Sequence, residues 1–131
     1  MTQAVFMKVY IGNGETIAVD KTVVYKKTAK LLKDIIFDCD RYGDRYPNKQ
    51  VKLDDLLKFH VGWRSCPSSG CVYCFEEDLD KAKEILIQAI NNRVQGLWNS
   101  FMFNVNQHNK DVANTPGVMT INATVEFKVN E

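Results

Sequence analysis

The chain has 131 residues, of which 45% are hydrophobic and 25% charged, and its 17 basic and 16 acidic side chains give a formal net charge of +1. This length suits one domain with its own core, and the composition excludes a disordered or fibrous chain. Because the net charge is close to zero, there is no general attraction to nucleic acid, and we do not expect a nucleic-acid-binding protein.

The N-terminal segment MTQAVFMKVY lacks the basic leader of a secretion signal. No stretch approaches the ~18 uninterrupted apolar residues that a membrane span needs. We therefore expect a cytoplasmic protein without a membrane segment. In that compartment its four cysteines would stay reduced, as thiols or as metal ligands.

The first part of the chain alternates apolar and polar residues, which is the periodicity of β-strands. A first strand is predicted from Val5 to Ile11, and the turn signal Gly12-Asn13-Gly14 joins it to a second strand from Glu15 to Val19. A third short strand is predicted over residues 22–26. The sequence thus predicts a β-hairpin plus a short strand within residues 4–27.

A helix is predicted over residues 29–42, with Thr28 as its N-cap and Gly43 at its end. Residues 42–50 then form a basic loop, since Pro47 prevents the helix from resuming. The segment Leu53 to Phe59 suits either a short helix or a strand. A loop containing three cysteines is predicted over residues 65–74.

The longest patterned stretch predicts one helix over residues 78–101. Acidic residues at its start favour a helix N-terminus, with Asp78 as the N-cap. Side chains such as Ile87 and Trp98 widen its apolar stripe beyond the ~100° that a surface helix needs, so we expect this helix to be covered on two sides. The stripe comprises Leu79, Ala82, Leu86, Ala89, Ile90, Val94, Leu97 and Phe101.

Two more strands are predicted after this helix, over residues 102–106 and 118–129. The second alternates apolar residues from Met119 to Val129 with a Thr-rich polar face. The order of the elements predicts a single α+β domain over residues 1–131. Its one antiparallel sheet would carry the long C-terminal-half helix and one or two shorter helices on one face.

The cysteine-rich stretch carries the most specific chemical pattern. Cys66, Cys71 and Cys74 lie within nine residues around a proline and a glycine that bend the chain. With His60 or Cys39 as fourth ligand they predict a possible structural zinc site, although no second CxxC pair is present. The alternatives are buried packing thiols, a redox disulfide, or a Cys66–His60 nucleophile pair. No other cofactor is expected.

An Arg-Tyr pair occurs twice within six residues of the basic loop. Arginine offers a planar fork to phosphate or carboxylate, and tyrosine offers a face for stacking. A nucleotide-like or other anionic ligand is one interpretation, and a surface loop with tyrosines packed on the core is the other. The candidate ligand-binding residues are Arg41, Tyr42, Arg45, Tyr46, Lys49 and Arg64.

Three apolar side chains suggest an interface. Phe37 falls opposite the apolar stripe of the first predicted helix. Ile87 and Trp98 lie at the edge of the apolar stripe of the long predicted helix. Large apolar residues on otherwise polar faces are typical of contacts with a partner, although single exposed ones are common.

The sequence contains no Walker loop, no GxGxxG after a strand, no HExxH and no GxSxG. We therefore expect a non-catalytic binding protein, such as a small accessory or inhibitory protein. It would form a homo-oligomer and engage a partner macromolecule or sequester a ligand. The alternatives are a protein that binds a phosphorylated small ligand through the Arg-Tyr loop, and a small Cys/His metal-dependent enzyme.

Overall fold

A computed structural model describes residues 4–12, 17–24, 31–32 and 51–131. The chain divides into two compact units, Met1–Arg93 and Val94–Glu131. The number of folding domains stays a prediction.

The first unit is built on an antiparallel four-stranded sheet. The described strands of this unit are β1 (Ala4–Ile11), β2 (Ile17–Val24), β3 (Leu31–Leu32), β4 (Val51–Lys52), β5 (Phe59–Val61) and β6 (Gly70–Phe75). The sheet has the order β2-β1-β6-β5, and β3 pairs with β4 in a separate two-stranded sheet. The four-stranded sheet and the long helix α1 (Leu79–Asp111) confirm the predicted α+β fold, and the β3–β4 pair adds a second, small sheet that was not predicted.

The predicted N-terminal hairpin is confirmed. β1 and β2 pair antiparallel with Ala4 opposite Val24 and Ile11 opposite Ile17. β2 runs unbroken from Ile17 to Val24, so the second and third predicted strands form one strand as far as Val24. The strand continues because each of its residues lies opposite a residue of β1, and alternate pairs exchange backbone hydrogen bonds. Sequence periodicity alone does not show this pairing.

One face of the sheet packs against the beginning of α1. Met7 and Val9 of β1 and Val72 of β6 are at most 1% exposed, and they cluster with Ala82 and Leu86 of the helix. Successive strand residues point to opposite faces, so these odd- and even-numbered positions on neighbouring antiparallel strands meet on the same side. This buried layer positions the first turns of α1 on the sheet.

The opposite face carries aromatic residues. Phe6 stacks on Tyr73 with ring centroids 5.8 Å apart and meets Phe75 edge-on. Val51 of β4 completes this second buried cluster. On the same side of β1, the Tyr10 hydroxyl donates to the buried Asp20 carboxylate at 3.1 Å.

Helix α1 begins close to the predicted position but ends later. A 3-10 turn over Glu76–Asp78 precedes it, and the helix runs from Leu79 to Asp111. The prediction of a strand over residues 102–106 is wrong, because these residues belong to the helix. Extending an existing helix adds a hydrogen bond with each residue, whereas a new strand would need a neighbouring strand.

The prediction of a strand over residues 118–129 is also wrong for this structure. No strand is assigned within 118–131, and every residue there is exposed. The apolar-polar alternation is present, but a strand also requires a backbone partner, and the sequence pattern does not provide one.

Two further predictions need correction. Leu31 and Leu32 pair with β4 and are not helical, and the rest of the predicted helix 29–42 and the loop 42–50 lie outside the described residues. The predicted cysteine loop is shorter, because residues 70–75 form β6. The segment 53–59 contains a 3-10 turn over Leu53–Asp55 and then enters β5.

None of the helices in the described part of the chain has the length and apolar character that crossing a membrane requires.

Candidate interaction surfaces

The three described cysteines do not converge. Cys71 lies in the aromatic cluster on one face of the sheet, while Cys74 lies in the cluster beneath α1 on the other face. They are three positions apart on one strand, so their side chains must point to opposite sides. Cys66 is exposed in the loop before β6. A zinc site made of His60 and all three cysteines is therefore not assembled here. No group of three or more His, Cys, Asp or Glu among the described residues has the arrangement of a metal site.

His60 is brought next to one of these cysteines. The register of β5 and β6 places it opposite Cys71, and its ring lies 5.4 Å from that of Tyr73. Its Nε2 is 2.9 Å from the Asp55 carbonyl oxygen. A carbonyl only accepts hydrogen bonds, so Nε2 carries the proton and donates. The exposed Cys66 has its hydrogen bond with Ser68 instead, at 3.3 Å.

The environments of the thiols differ. Hydrogen bonds from the side chain and then the backbone of Ser68 lower the pKa of the Cys66 thiol, and the nearby Arg93 charge acts in the same direction. Burial raises the pKa of the Cys74 thiol to about 11, with smaller contributions from the carboxylates of Asp78 and Glu77. Cys66 is therefore the more readily ionised of the two thiols.

Arg93 on α1 fixes the loop between β5 and β6. Its Nη1 donates to the carbonyl oxygens of Pro67 and Ser69 at 2.8 and 2.9 Å. Its Nη2 donates to those of Trp63 and Arg64 at 3.1 and 3.4 Å. A guanidinium can reach four acceptors at once because its donors lie in one plane, so this side chain holds both arms of the loop.

Short hydrogen bonds within the loop support the same conformation. The Trp63 amide donates to Ser69 Oγ at 2.8 Å, and the Gly62 amide donates to the Ser69 carbonyl at 3.0 Å. Inside the loop, the Cys66 amide donates to the Trp63 carbonyl at 3.3 Å. The loop backbone is thereby fixed although residues 62–66 are exposed.

The loop presents a large aromatic side chain. Trp63 is 77% exposed, and Val61 at the end of β5 is 55% exposed. A rigidly held, exposed tryptophan is typical of a contact residue at protein interfaces. Sequence reasoning missed both Trp63 and its support. The available signal was Arg93 itself, a charged residue on a helix side otherwise occupied by Leu86 and Ile90.

An apolar groove lies between the start of β5 and α1. Its volume is about 800 Å³. Phe59 lies on one side of it, and Ile85 and the 47%-exposed Ile87 lie on the other. The remaining lining residues are Lys58, Glu84, Gln88, Ala89 and Asn92. Ile87, one of the predicted interface residues, is thus exposed at a concave surface.

A smaller cleft of about 450 Å³ lies on the aromatic face of the sheet. Lys8, His60, Tyr10 and Ser68 are among the residues that line it. The Lys8 ammonium lies 5.6 Å from the centre of the Tyr10 ring. The Lys8 cation and the Ser68 and Ser69 hydroxyls are the groups of this cleft that suit a small anionic ligand.

Most of the predicted ligand-binding residues cannot be compared with this cleft. Arg41, Tyr42, Arg45, Tyr46 and Lys49 lie outside the described residues, as does the predicted interface residue Phe37. Arg64 is exposed on the loop held by Arg93, and its carbonyl accepts one of the Arg93 hydrogen bonds.

The second unit carries an exposed apolar stripe on its part of α1. Val94, Leu97 and Phe101 are 39%, 47% and 47% exposed, and they recur at three- and four-residue steps on one side of the helix. The half-buried Trp98, another predicted interface residue, contacts Phe101 with ring centroids 5.6 Å apart. Val105 is the one buried hydrophobic residue among 94–131, at 5% exposed.

The end of the chain is attached to α1 by side chains. The Asn109 side chain donates to the Ile121 carbonyl at 2.8 Å and accepts from the Ile121 amide at 3.0 Å. His108 Nε2 donates to the Met119 carbonyl, with the two atoms 2.8 Å apart. The Asn109 side chain thus makes with Ile121 the two backbone hydrogen bonds that a neighbouring strand would make.

Comparison with protein-family models, with curated proteins and with solved structures finds no match to this chain.

Proposed function

We propose that this protein is a non-catalytic binding protein of the cytoplasm that self-associates and acts by engaging a partner macromolecule or sequestering a ligand. The observation that carries the proposal is the stripe of Val94, Leu97 and Phe101, three large apolar side chains left between 39% and 47% exposed on one side of a helix. Contiguous exposed apolar surface of this kind marks interaction sites in soluble proteins.

The energetics favour covering this stripe. Fully burying a large aliphatic or aromatic side chain is worth about 1.5–3 kcal/mol, so covering the exposed half of each of these three gives about 1 kcal/mol apiece. A second copy of the chain provides the same apolar stripe, and a symmetric pair buries both at once. The groove at Ile87 and the Trp63 loop of the first unit remain available for a further partner.

The test is size-exclusion chromatography with light scattering at tens of micromolar protein. We expect the wild type to be an oligomer, Leu97→Glu to move it toward monomer, and Trp98→Glu to do the same. Gln95→Glu is the matched control, since Gln95 is an exposed polar residue two positions away on the same helix. A monomeric wild type, or a Gln95→Glu variant that dissociates as readily as Leu97→Glu, would contradict the proposal.

A second candidate function is binding of a phosphorylated or otherwise anionic small ligand. The cleft beside Lys8 and His60 favours it, because this cleft combines the Lys8 cation with the Ser68 and Ser69 hydroxyls in about 450 Å³. Thermal-shift screening of nucleotides tests this function. A ligand of the cleft should stabilise the wild type and lose its effect in Lys8→Gln, whereas Lys21→Gln on the neighbouring strand should bind like the wild type.

A further inference from the structure

The C-terminal segment has the side-chain pattern of a strand but joins neither sheet of the described residues. Met119, Ile121, Val125, Phe127 and Val129 share one face of an extended chain, and they are between 43% and 85% exposed. The other face is polar, with Thr120, Asn122, Thr124, Glu126 and Lys128. A strand with one apolar face ordinarily belongs to a sheet in which that face is covered by a core and the backbone is paired with a neighbouring strand.

The backbone of the segment is also open. Within the described part of the chain, hydrogen bonds to residues 118–131 are those made by His108 and Asn109, to Met119 and Ile121. After Ile121, the amide and carbonyl groups on both edges of the segment have no hydrogen bond to any described residue. Such an edge is a template for pairing with another strand.

The second unit is too small to complete a core by itself. Residues 94–131 number fewer than the ~40 below which a chain usually needs a disulfide, a metal or oligomerisation to fold stably. Val105 is its one buried hydrophobic residue. A second copy brings another helix and another segment of the same kind, which is what the unit lacks.

We propose that residues 118–129 pair with the same segment of a second copy, as antiparallel strands related by a two-fold axis at Thr124. This deepens the self-association proposed above and rests on it. Two-fold symmetry requires that the pairing be self-complementary, and two identical strands crossing such an axis run antiparallel.

The register at Thr124 places compatible side chains opposite each other. Position i of one strand faces position 248 − i of the other, by the geometry of a two-fold axis through residue 124. Met119 then faces Val129, Ile121 faces Phe127, and Thr124 faces its own copy. Aromatic–aliphatic and Thr–Thr pairs of this kind stabilise antiparallel sheets.

The charged residues agree with the same register. Glu126 faces Asn122 and Lys128 faces Thr120, so no like charges are opposed. Like charges directly opposite each other would destabilise the pair.

The surface available is close to what a stable dimer needs. A half-exposed apolar side chain offers roughly 80 Å². The apolar face of the segment together with Val94, Leu97 and Phe101 would then bury about 600 Å² of side chain per copy, before the paired backbone is added. A standard stable interface buries about 800 Å² per partner.

The experiment is cysteine crosslinking in a Cys66→Ser background, which removes the exposed thiol among the three described cysteines. Thr124→Cys places two thiols at the self-paired position, where Cα atoms about 5 Å apart suit a disulfide. Thr120→Cys is the matched control, because the two copies of residue 120 would be separated by eight residues, roughly 27 Å. We expect about tenfold more crosslinked dimer from Thr124→Cys than from Thr120→Cys under mild oxidation.

Light scattering on the same reduced samples separates the possible failures. A dimer in which Thr120→Cys crosslinks as well as Thr124→Cys, or in which neither crosslinks above the Cys66→Ser background, overturns the strand pairing and leaves self-association standing. A monomer at tens of micromolar overturns both. Phe127→Glu should dissociate the dimer, while Lys128→Gln, on the polar face, should not.

Discussion

Cys71 and Cys74 lie on opposite faces of β6, so the first is buried beside Tyr73 and the second beneath α1. The two thiols therefore belong to different cores, although only two residues separate them in sequence. This placement gives each described cysteine its own chemistry, and each can be tested separately.

The buried thiol of Cys74 should make the protein sensitive to alkali. Its pKa is raised by burial from 9.0 to about 11. The unfolded chain loses this proton first, so the contribution to stability is complete below pH 9 and declines between pH 9 and 11. At 1.4 kcal/mol per pKa unit, the wild type should lose about 2–3 kcal/mol across this window.

Urea unfolding at several pH values measures this loss. Lysines and tyrosines titrate in the same range, so the quantity to compare is the difference between the wild type and Cys74→Ala. Cys66→Ala is the control, since Cys66 is exposed and its pKa is lowered. A Cys74→Ala variant with the same pH dependence as the wild type would show that this thiol does not contribute.

The exposed thiol should be the reactive one among the described cysteines. Because hydrogen bonds from Ser68 lower the pKa of Cys66, alkylation by iodoacetamide near pH 7 should reach Cys66 well before Cys71 or Cys74. Ser68→Ala should slow the reaction at Cys66 by a factor of a few. Peptide mass spectrometry against time measures both, and Ser65→Ala in the same loop is the control. Equal labelling rates for all three thiols would contradict the described burial.

Arg93 should be essential for the loop that presents Trp63. Arg93→Ala removes donors to four backbone carbonyls, and hydrogen bonds from a charged group are worth about 1.5–3 kcal/mol, so we expect a loss of about that size. Arg93→Lys should recover little, because an ammonium is a compact point charge that cannot span four acceptors.

Urea unfolding measures the loss of stability, and hydrogen exchange of the Trp63 and Gly62 amides reports on the loop. Asn92→Ala is the control on the same turn of α1. If Arg93→Lys matched the wild type in both measurements, the planar arrangement of donors would have no special role.

Zinc content tests the metal site predicted from the sequence. Since Cys71 and Cys74 point to opposite faces, we expect protein purified without chelator to carry less than ~0.2 zinc per chain, against one for a closed structural site. Elemental analysis decides this. A stoichiometric ion that is lost in Cys71→Ser but kept in Cys74→Ser would instead indicate a site on the face that His60 and Cys71 share.

The sequence alone was sufficient for the elements whose pattern is local. Alternation along residues 5–11 and the Gly-Asn-Gly turn predicted the hairpin. Three- and four-residue steps from Leu79 predicted the long helix, with its start correct to one residue. These signals depend on neighbours within one turn or one strand, so they can be read without knowing the rest of the molecule.

The tertiary structure decided everything that depends on a distant partner. Residues 102–106 are helical because the helix before them could simply continue, and no strand among the described residues lies beside 118–129 to make a sheet. Their close spacing in sequence predicted that Cys71 and Cys74 share a site, but in the strand β6 their side chains point to opposite faces of the sheet. The role of Arg93 rests on contacts 24 to 30 residues away in sequence, and a hydrogen-bonding partner so distant leaves no periodic trace in the chain.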